Sequence, residues 1–132
     1  MSHKYRGNKG GDLSLKLPKT LRGDILIIGG GPAGMAAAIS AKRSNSKIDV
    51  VLIEKNEIMG RKLRATGNGR CNITNVNAEG YSEVISFLSS LGIVTKINEN
   101  GFLYPVSESA ADVSELLELR LKQLGVKVYT GV

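Results

Sequence analysis

The feature that most constrains this chain is Gly29-Gly30-Gly31-Pro32-Ala33-Gly34, placed directly after the apolar run Ile25 to Ile28 and answered by Glu54 at the end of a second apolar run, Val50 to Ile53. Asp24 to Ile28 reads as a short parallel strand covered on both faces. Gly29 lets the chain turn sharply. Gly31 removes a side chain so that backbone N–H groups can reach a pyrophosphate, and Gly34 lets the following helix lie close to the sheet. Pro32 stands where a first helical turn has no N–H to lose. The predicted helix, Pro32 to Lys42, aims its positive end at the phosphates, and Ala36, Ala37, Ala38 and Ala41 suit it to tight packing.

A glycine pattern alone is weak, and its setting gives it weight. It lies between a predicted strand and a predicted helix, and Glu54 follows 25 positions after Gly29, near the spacing of a dinucleotide fingerprint. A carboxylate there accepts hydrogen bonds from ribose hydroxyls and repels a 2′-phosphate. NADP is therefore disfavoured, while FAD and NAD both remain open.

At 132 residues the chain suffices for one domain with a real core. It has no run approaching the about 18 apolar residues of a membrane span and no apolar stretch of a signal peptide, so a cytoplasmic protein without membrane contact is expected. A single cysteine, Cys71, excludes a disulfide framework or a cysteine-based metal site within one chain. It is read as a small buried residue rather than a redox thiol.

The net charge of +6 is unevenly spread. Residues 1 to 22 hold six basic side chains against Asp12, and residues 23 to 132 hold 12 basic and 11 acidic ones. The first segment, rich in Gly, Lys and Ser, is expected to be a disordered solubilising extension, which makes nucleic acid an unfavoured partner and leaves His3 without a catalytic assignment.

After Glu54 comes a segment rich in glycine, asparagine and basic residues, expected as a long loop with at most a helical turn at Gly60 to Ala65. Long loops in compact domains are commonly functional. Here glycines flanking Asn68 would allow close backbone approach, and Arg61, Lys62, Arg64 and Arg70 can face phosphate. Further helices are expected near Ser82 to Leu91 and Ser109 to Leu124, with Gly92 and Gly125 as their C-terminal caps. A hairpin is expected from Ile93 to Tyr104 and a third parallel strand over Val126 to Val132. In the last helix Ala110, Val113, Leu117, Leu121 and Leu124 form a core stripe.

The segment Gly60-Arg61-Lys62-Leu63-Arg64-Ala65-Thr66-Gly67-Asn68-Gly69-Arg70-Cys71-Asn72-Ile73-Thr74-Asn75 resembles the signature of a bacterial and archaeal flavoprotein family, the aminoacetone-oxidase-like or NAD(P)/FAD-dependent oxidoreductases. Glu99 to Pro105 and Gly125 to Val132 are similar to later segments of that family, and the resemblance covers residues 23 to 132. It implies an α/β fold, part of a glutathione-reductase-like Rossmann FAD-binding domain with a parallel sheet and a small β-hairpin insertion.

Carried over residue by residue, it implies that Gly29, Gly31, Pro32, Ala33 and Gly34 receive the pyrophosphate of FAD and that Glu54, with Lys55 beside it, receives the adenosine ribose. Arg61 and Lys62 would lie near the phosphates. Thr66, Gly67, Asn68, Gly69 and Asn72 would approach the ribityl chain and flavin ring, and Val132 would pass the adenine. Family members are longer, with a second domain and a returning C-terminal segment. The resemblance thus implies the FAD-binding portion of a flavin-dependent oxidoreductase, incomplete for catalysis alone and completed by a separately encoded remainder or a homodimer. The alternative is a noncatalytic module for an ADP moiety, or a truncated gene product.

Overall fold

The computed structural model describes residues 19–132, so the expectations for His3 and for the basic extension up to residue 18 lie outside the described residues. Two small sheets and four helices enclose one core. β1 (Ile25–Ile28), β2 (Val50–Ile53) and β6 (Lys127–Tyr129) form a parallel sheet in the order β1-β2-β6. β3 (Thr74–Asn75), β5 (Phe102–Pro105) and β4 (Thr95–Ile97) form an antiparallel sheet in the order β3-β5-β4. Helices α1 (Pro32–Ser44), α2 (Arg61–Ala65), α3 (Tyr81–Ser90) and α4 (Ala110–Gln123) connect them.

The core lies between the parallel sheet and helices α1 and α4. Met35, Ala38 and Ile39 of α1 meet Val113, Leu117 and Leu121 of α4, with Val50 and Leu52 beneath. The expected stripe of α4 is thus buried, with Leu124 packed at its margin. Ser109 caps this helix, its hydroxyl accepting the Asp112 N–H at 3.2 Å. Both helix-ending glycines sit where expected. Gly92 (φ 86°) and Gly125 (φ 75°) adopt the left-handed conformation. The amides after them, Ile93 and Val126, donate back to Leu88 and Leu121, so the last carbonyls of α3 and α4 are satisfied in Schellman turns.

Four expectations are corrected. β1 is not covered on both faces: Leu26 is 53% and Ile28 82% exposed, because β1 is an edge strand with a neighbour on one side only and α1 covers one of its faces. Only Ile27 turns into the core. The helical turn allowed at Gly60 to Ala65 is α2, but the rest of the segment after Glu54 is more ordered than a loop. It adds a 3-10 turn at Thr66–Gly69 and β3, the strand because Thr74 and Asn75 find backbone partners in Leu103 and Phe102. The last strand stops at Tyr129 rather than running to Val132, since only Lys127 to Tyr129 pair with β2. Ala37, counted among the packing alanines of α1, faces solvent.

Among the described residues no helix is long and apolar enough to cross a membrane, and no group of His, Cys, Asp and Glu stands close enough to hold a metal ion.

Candidate nucleotide site

The site is built at the C-terminal ends of β1 and β2, where an open parallel sheet offers a crevice. Gly29, at φ 108°, turns the chain out of β1, and its N–H donates to the Ile53 carbonyl at 2.7 Å. Gly31 is the cap residue of α1, and Pro32 opens the helix. The amides of Ala33 and Gly34 occupy the second and third helical positions, where no intrahelical acceptor exists. A side chain at Gly31 would meet no protein atom within 4 Å, so the turn faces open space. At Gly34 a β-carbon would collide with the Gly29 carbonyl oxygen and approach Ile27 at 3.4 Å. Gly34 is what lets α1 start directly against the turn.

Glu54 is only 8% exposed and is held by three N–H donors. The Gly30 amide donates to Oε2 at 2.7 Å, and the Asn56 amide and side-chain Nδ2 both donate to Oε1, at 2.8 and 2.6 Å. The Asn56 backbone N–H is the main cause holding this carboxyl below the usual carboxylate range; the Gly30 N–H adds to it against the opposing effect of burial. Glu54 therefore stands as an anion locked onto the glycine turn. Gly30 and Asn56 were missed by motif reasoning. A β-carbon at Gly30 would lie 2.9 Å from Met59 Cγ and 3.0 Å from Glu54 Cβ, so this middle glycine is required by the carboxylate beneath it.

The chain after β6 closes onto the same corner. Glu54 N–H donates to the Tyr129 carbonyl at 2.8 Å, Gly131 N–H to Asn56 at 2.9 Å and Val132 N–H to Glu54 at 3.2 Å. Val132 is thus brought beside Glu54 although it lies beyond the strand. Lys55 and Arg61 are exposed at this end, and Arg61 Nη1 approaches Asn56 Oδ1 at 3.4 Å.

The second group of expected residues lies around a cavity of about 530 Å³ beside the start of α1, with Pro32, Lys62, Thr66, Asn72, Val84 and Phe87 in its walls. Its lining is largely apolar. Thr66 is anchored by its hydroxyl to the Leu63 carbonyl at 2.7 Å. Gly67 (φ 57°), Asn68 (φ 54°) and Gly69 (φ 84°) form a left-handed run that returns the chain to Cys71, whose N–H reaches the Thr66 carbonyl at 3.1 Å. Asn68 and Gly69 face solvent, so of this group Thr66 and Asn72 line the cavity. Asn72 Oδ1 is shielded and accepts no hydrogen bond. Cys71 is fully buried as expected, and burial pushes its thiol up.

Two of the four basic residues expected to face phosphate are engaged elsewhere. Arg64 pairs with Glu118 of α4 at 3.3 Å, and Arg70 stands over the Tyr104 ring, 5.1 Å from its centre, with Glu108 at 4.0 Å. Both charges find carboxylates brought near by α4 and the hairpin, which local sequence does not show. Arg61 and Lys62 remain exposed and form no ion pair among the described residues, Lys62 at the cavity wall and Arg61 beside Asn56.

A family model described as HI0933-like protein Rossmann domain matches residues 23–83. The chain is 43% identical over 127 residues to the 3-dehydro-bile acid delta(4,6)-reductase of Clostridium scindens, covering 82% of this chain and 31% of that protein. It is 41% identical over 58 residues to the ribosomal RNA dihydrouridine synthase of Escherichia coli, covering 44% of this chain and 14% of that protein. The solved structure of THI4 from Thermovibrio ammonificans superposes with a TM-score of 0.63 at 20% identity, over 83% of this chain and 38% of that one, a likeness of fold. The chain thus spans about a third of the length of the Clostridium relative. The glycine turn, the Glu54 clamp and the Arg61 to Asn75 segment all fall within residues 23–83, the span that the HI0933-like Rossmann domain model matches.

Proposed function

We propose that this chain binds the ADP moiety of FAD and supplies the FAD-binding portion of a flavin-dependent oxidoreductase, one of the aminoacetone-oxidase-like flavoproteins that Gly60 to Asn75 resembles. The observation that carries this reading is the anionic Glu54 beneath an open glycine turn. An acceptor for ribose hydroxyls and a row of helix N-terminal amides for pyrophosphate stand at adjoining strand ends. The residues fit the cofactor in two further ways. The space before Gly31 would be filled by any side chain there, and the shielded Asn72 Oδ1 is an unused acceptor, a group that costs about 1–3 kcal/mol when left unpaired.

In this reading Gly29, Gly31, Ala33 and Gly34 present backbone to the pyrophosphate, with Pro32 setting the helix start. Arg61 and Lys62 add positive charge at the mouth. Glu54 orients the adenosine ribose and rejects a 2′-phosphate by charge, with Lys55 and Val132 at the adenine side. Thr66 and Asn72 stand in the wall toward the ribityl chain and flavin ring, with Gly67, Asn68 and Gly69 forming the turn between them, and the apolar cavity there excludes water. The flavin, when bound, supplies hydride and electron transfer.

A second reading, a noncatalytic nucleotide-binding module, is favoured by one observation. Cys71, the only thiol in the chain, is buried and held protonated, so it offers no nucleophile beside the site. The exposed edge of β1 is the surface where a strand of a separately encoded remainder would pair, a second copy being the alternative occupant. The reductase and synthase activities of the relatives belong to proteins of which this chain spans a minor part, and near-balanced charge over residues 23 to 132 gives no support to an RNA partner.

The test is an absorption spectrum of the purified protein before and after FAD titration, with Gly31→Val alongside. Retained flavin colour or saturable binding, lost in the variant, is expected. Absence of FAD binding by the unaltered chain would overturn the reading.

A further inference from the structure

We propose that Asn56 is a positioning residue for the nucleotide: it fixes the Glu54 carboxylate so that Oε2 alone is left to take a ribose hydroxyl. This rests on the reading of the site as an ADP clamp, and it concerns a residue that the dinucleotide fingerprint does not include.

The argument begins with the hydrogen-bonding capacity of Asn56, all four groups of which are engaged. Its N–H and Nδ2 donate to Glu54 Oε1 at 2.8 and 2.6 Å, its carbonyl accepts the Gly131 N–H at 2.9 Å, and its Oδ1 faces Arg61 Nη1 at 3.4 Å. A half-exposed loop residue with no unused group is held by its surroundings, and its four contacts lead to three residues: Glu54 twice, Arg61 once, and Gly131, which carries the segment that ends beside Glu54.

The two carboxylate oxygens are then unequal. A carboxylate oxygen accepts about two hydrogen bonds. Oε1 has both from Asn56, whereas Oε2 has one, from Gly30 at 2.7 Å. The remaining acceptor direction therefore belongs to Oε2, the oxygen bonded to the glycine turn itself. A hydroxyl bound there is held at a fixed distance from the amides that meet the pyrophosphate, so ribose and phosphate recognition share one rigid frame. Arg61 extends the frame through Asn56 Oδ1 toward the expected phosphate side. Removing Nδ2 leaves Oε1 with one donor, frees the carboxylate to rotate and releases Arg61.

The experiment is calorimetric titration of the full chain with ADP and with 2′,3′-dideoxy-ADP, which lacks the ribose hydroxyls, in the wild type, Asn56→Ala, Glu54→Gln and the double variant. Asn56→Ala is expected to weaken ADP about 5- to 10-fold, the value of one hydrogen bond of about 1 kcal/mol or slightly more, and to change dideoxy-ADP less than about 2-fold. In the Glu54→Gln background it is expected to add little. Equal weakening of both ligands, or full additivity with Glu54→Gln, would overturn the proposal, because a merely structural residue affects both nucleotides alike. A second readout uses the ligand-free protein. Hydrogen exchange at the Gly30 amide rises severalfold in Asn56→Ala if Asn56 holds Glu54 on the turn, and an unchanged rate overturns that link. Failure of the wild type to bind either nucleotide would sink the ADP-clamp reading and the ribose role with it, and Gly30 exchange would still decide whether Asn56 positions Glu54.

Discussion

β1 and β2 are four-residue apolar runs of nearly equal composition, Ile-Leu-Ile-Ile and Val-Val-Leu-Ile, paired in register from Ile25 opposite Val50 to Ile28 opposite Ile53. Yet Val50, Val51 and Leu52 are fully buried, whereas Leu26 and Ile28 stand in solvent. An apolar run specifies a strand; its place in the sheet order specifies burial. β2 lies between β1 and β6, while β1 has a neighbour on one side. The two halves of the site inherit this difference. The central strand ends in Glu54, a buried carboxylate fixed by three donors, and the edge strand ends in an open glycine turn that leads to the Ala33 and Gly34 amides, which have no intrahelical acceptor.

The largest effect expected from this contrast is at the central strand. Leu52→Ala should cost about 2–5 kcal/mol of unfolding free energy in a denaturant titration, the range for a buried leucine with no room to collapse. A loss below about 1 kcal/mol would remove the distinction between the strands. Next is the junction of edge strand and helix. Gly34→Ala should force the turn away from α1 and cost about 1–3 kcal/mol, because its β-carbon meets the fixed Gly29 carbonyl rather than a flexible side-chain tip. It should abolish nucleotide binding in the same samples, and unimpaired binding would show that the turn tolerates displacement.

The Glu54 clamp sharpens the comparison through pH. Its folded pKa lies below its ordinary value, so folding binds the anion and releases a proton that the unfolded chain would hold in acid. The resulting stability is fully present above the ordinary glutamate range and is lost as pH falls through the lower folded value. Glu54→Gln should flatten this acid limb in thermal unfolding followed from pH 7 downward. A limb unaltered in the variant would assign acid sensitivity to other carboxylates. The smallest effect belongs to the edge: Leu26→Lys should change stability by no more than about 0.5 kcal/mol while reducing self-association in analytical ultracentrifugation. A larger destabilisation would mean that β1 is covered in solution.

Much of the fold was legible because it rests on local chemistry. The turn glycines, Pro32 at the helix start, the glycines after α3 and α4 and the spacing of the α4 stripe each act within a few residues. What was illegible depends on distant partners. Nothing near Arg64 or Arg70 in sequence announces Glu118, 54 positions away, or the Tyr104 ring. The exposure of β1 depends on which strands flank it. Thr74 and Asn75 look like loop and become strand only because β5 offers its backbone. In the site itself, Glu54 and the outer glycines follow from the fingerprint. Asn56 could have been suspected only from a side-chain amide two positions beyond a buried carboxylate, and Gly30 only from the need to reach it.

The account's central claim is that an anionic Glu54 bound to the glycine turn selects an ADP moiety. The most direct measurement is calorimetric binding of ADP and of 2′-phospho-ADP to the full chain, in the wild type and in Glu54→Gln. Saturable ADP binding is predicted, with the 2′-phosphorylated ligand at least about tenfold weaker in the wild type and the gap narrowed in the variant. Equal or tighter binding of 2′-phospho-ADP by the wild type would contradict it.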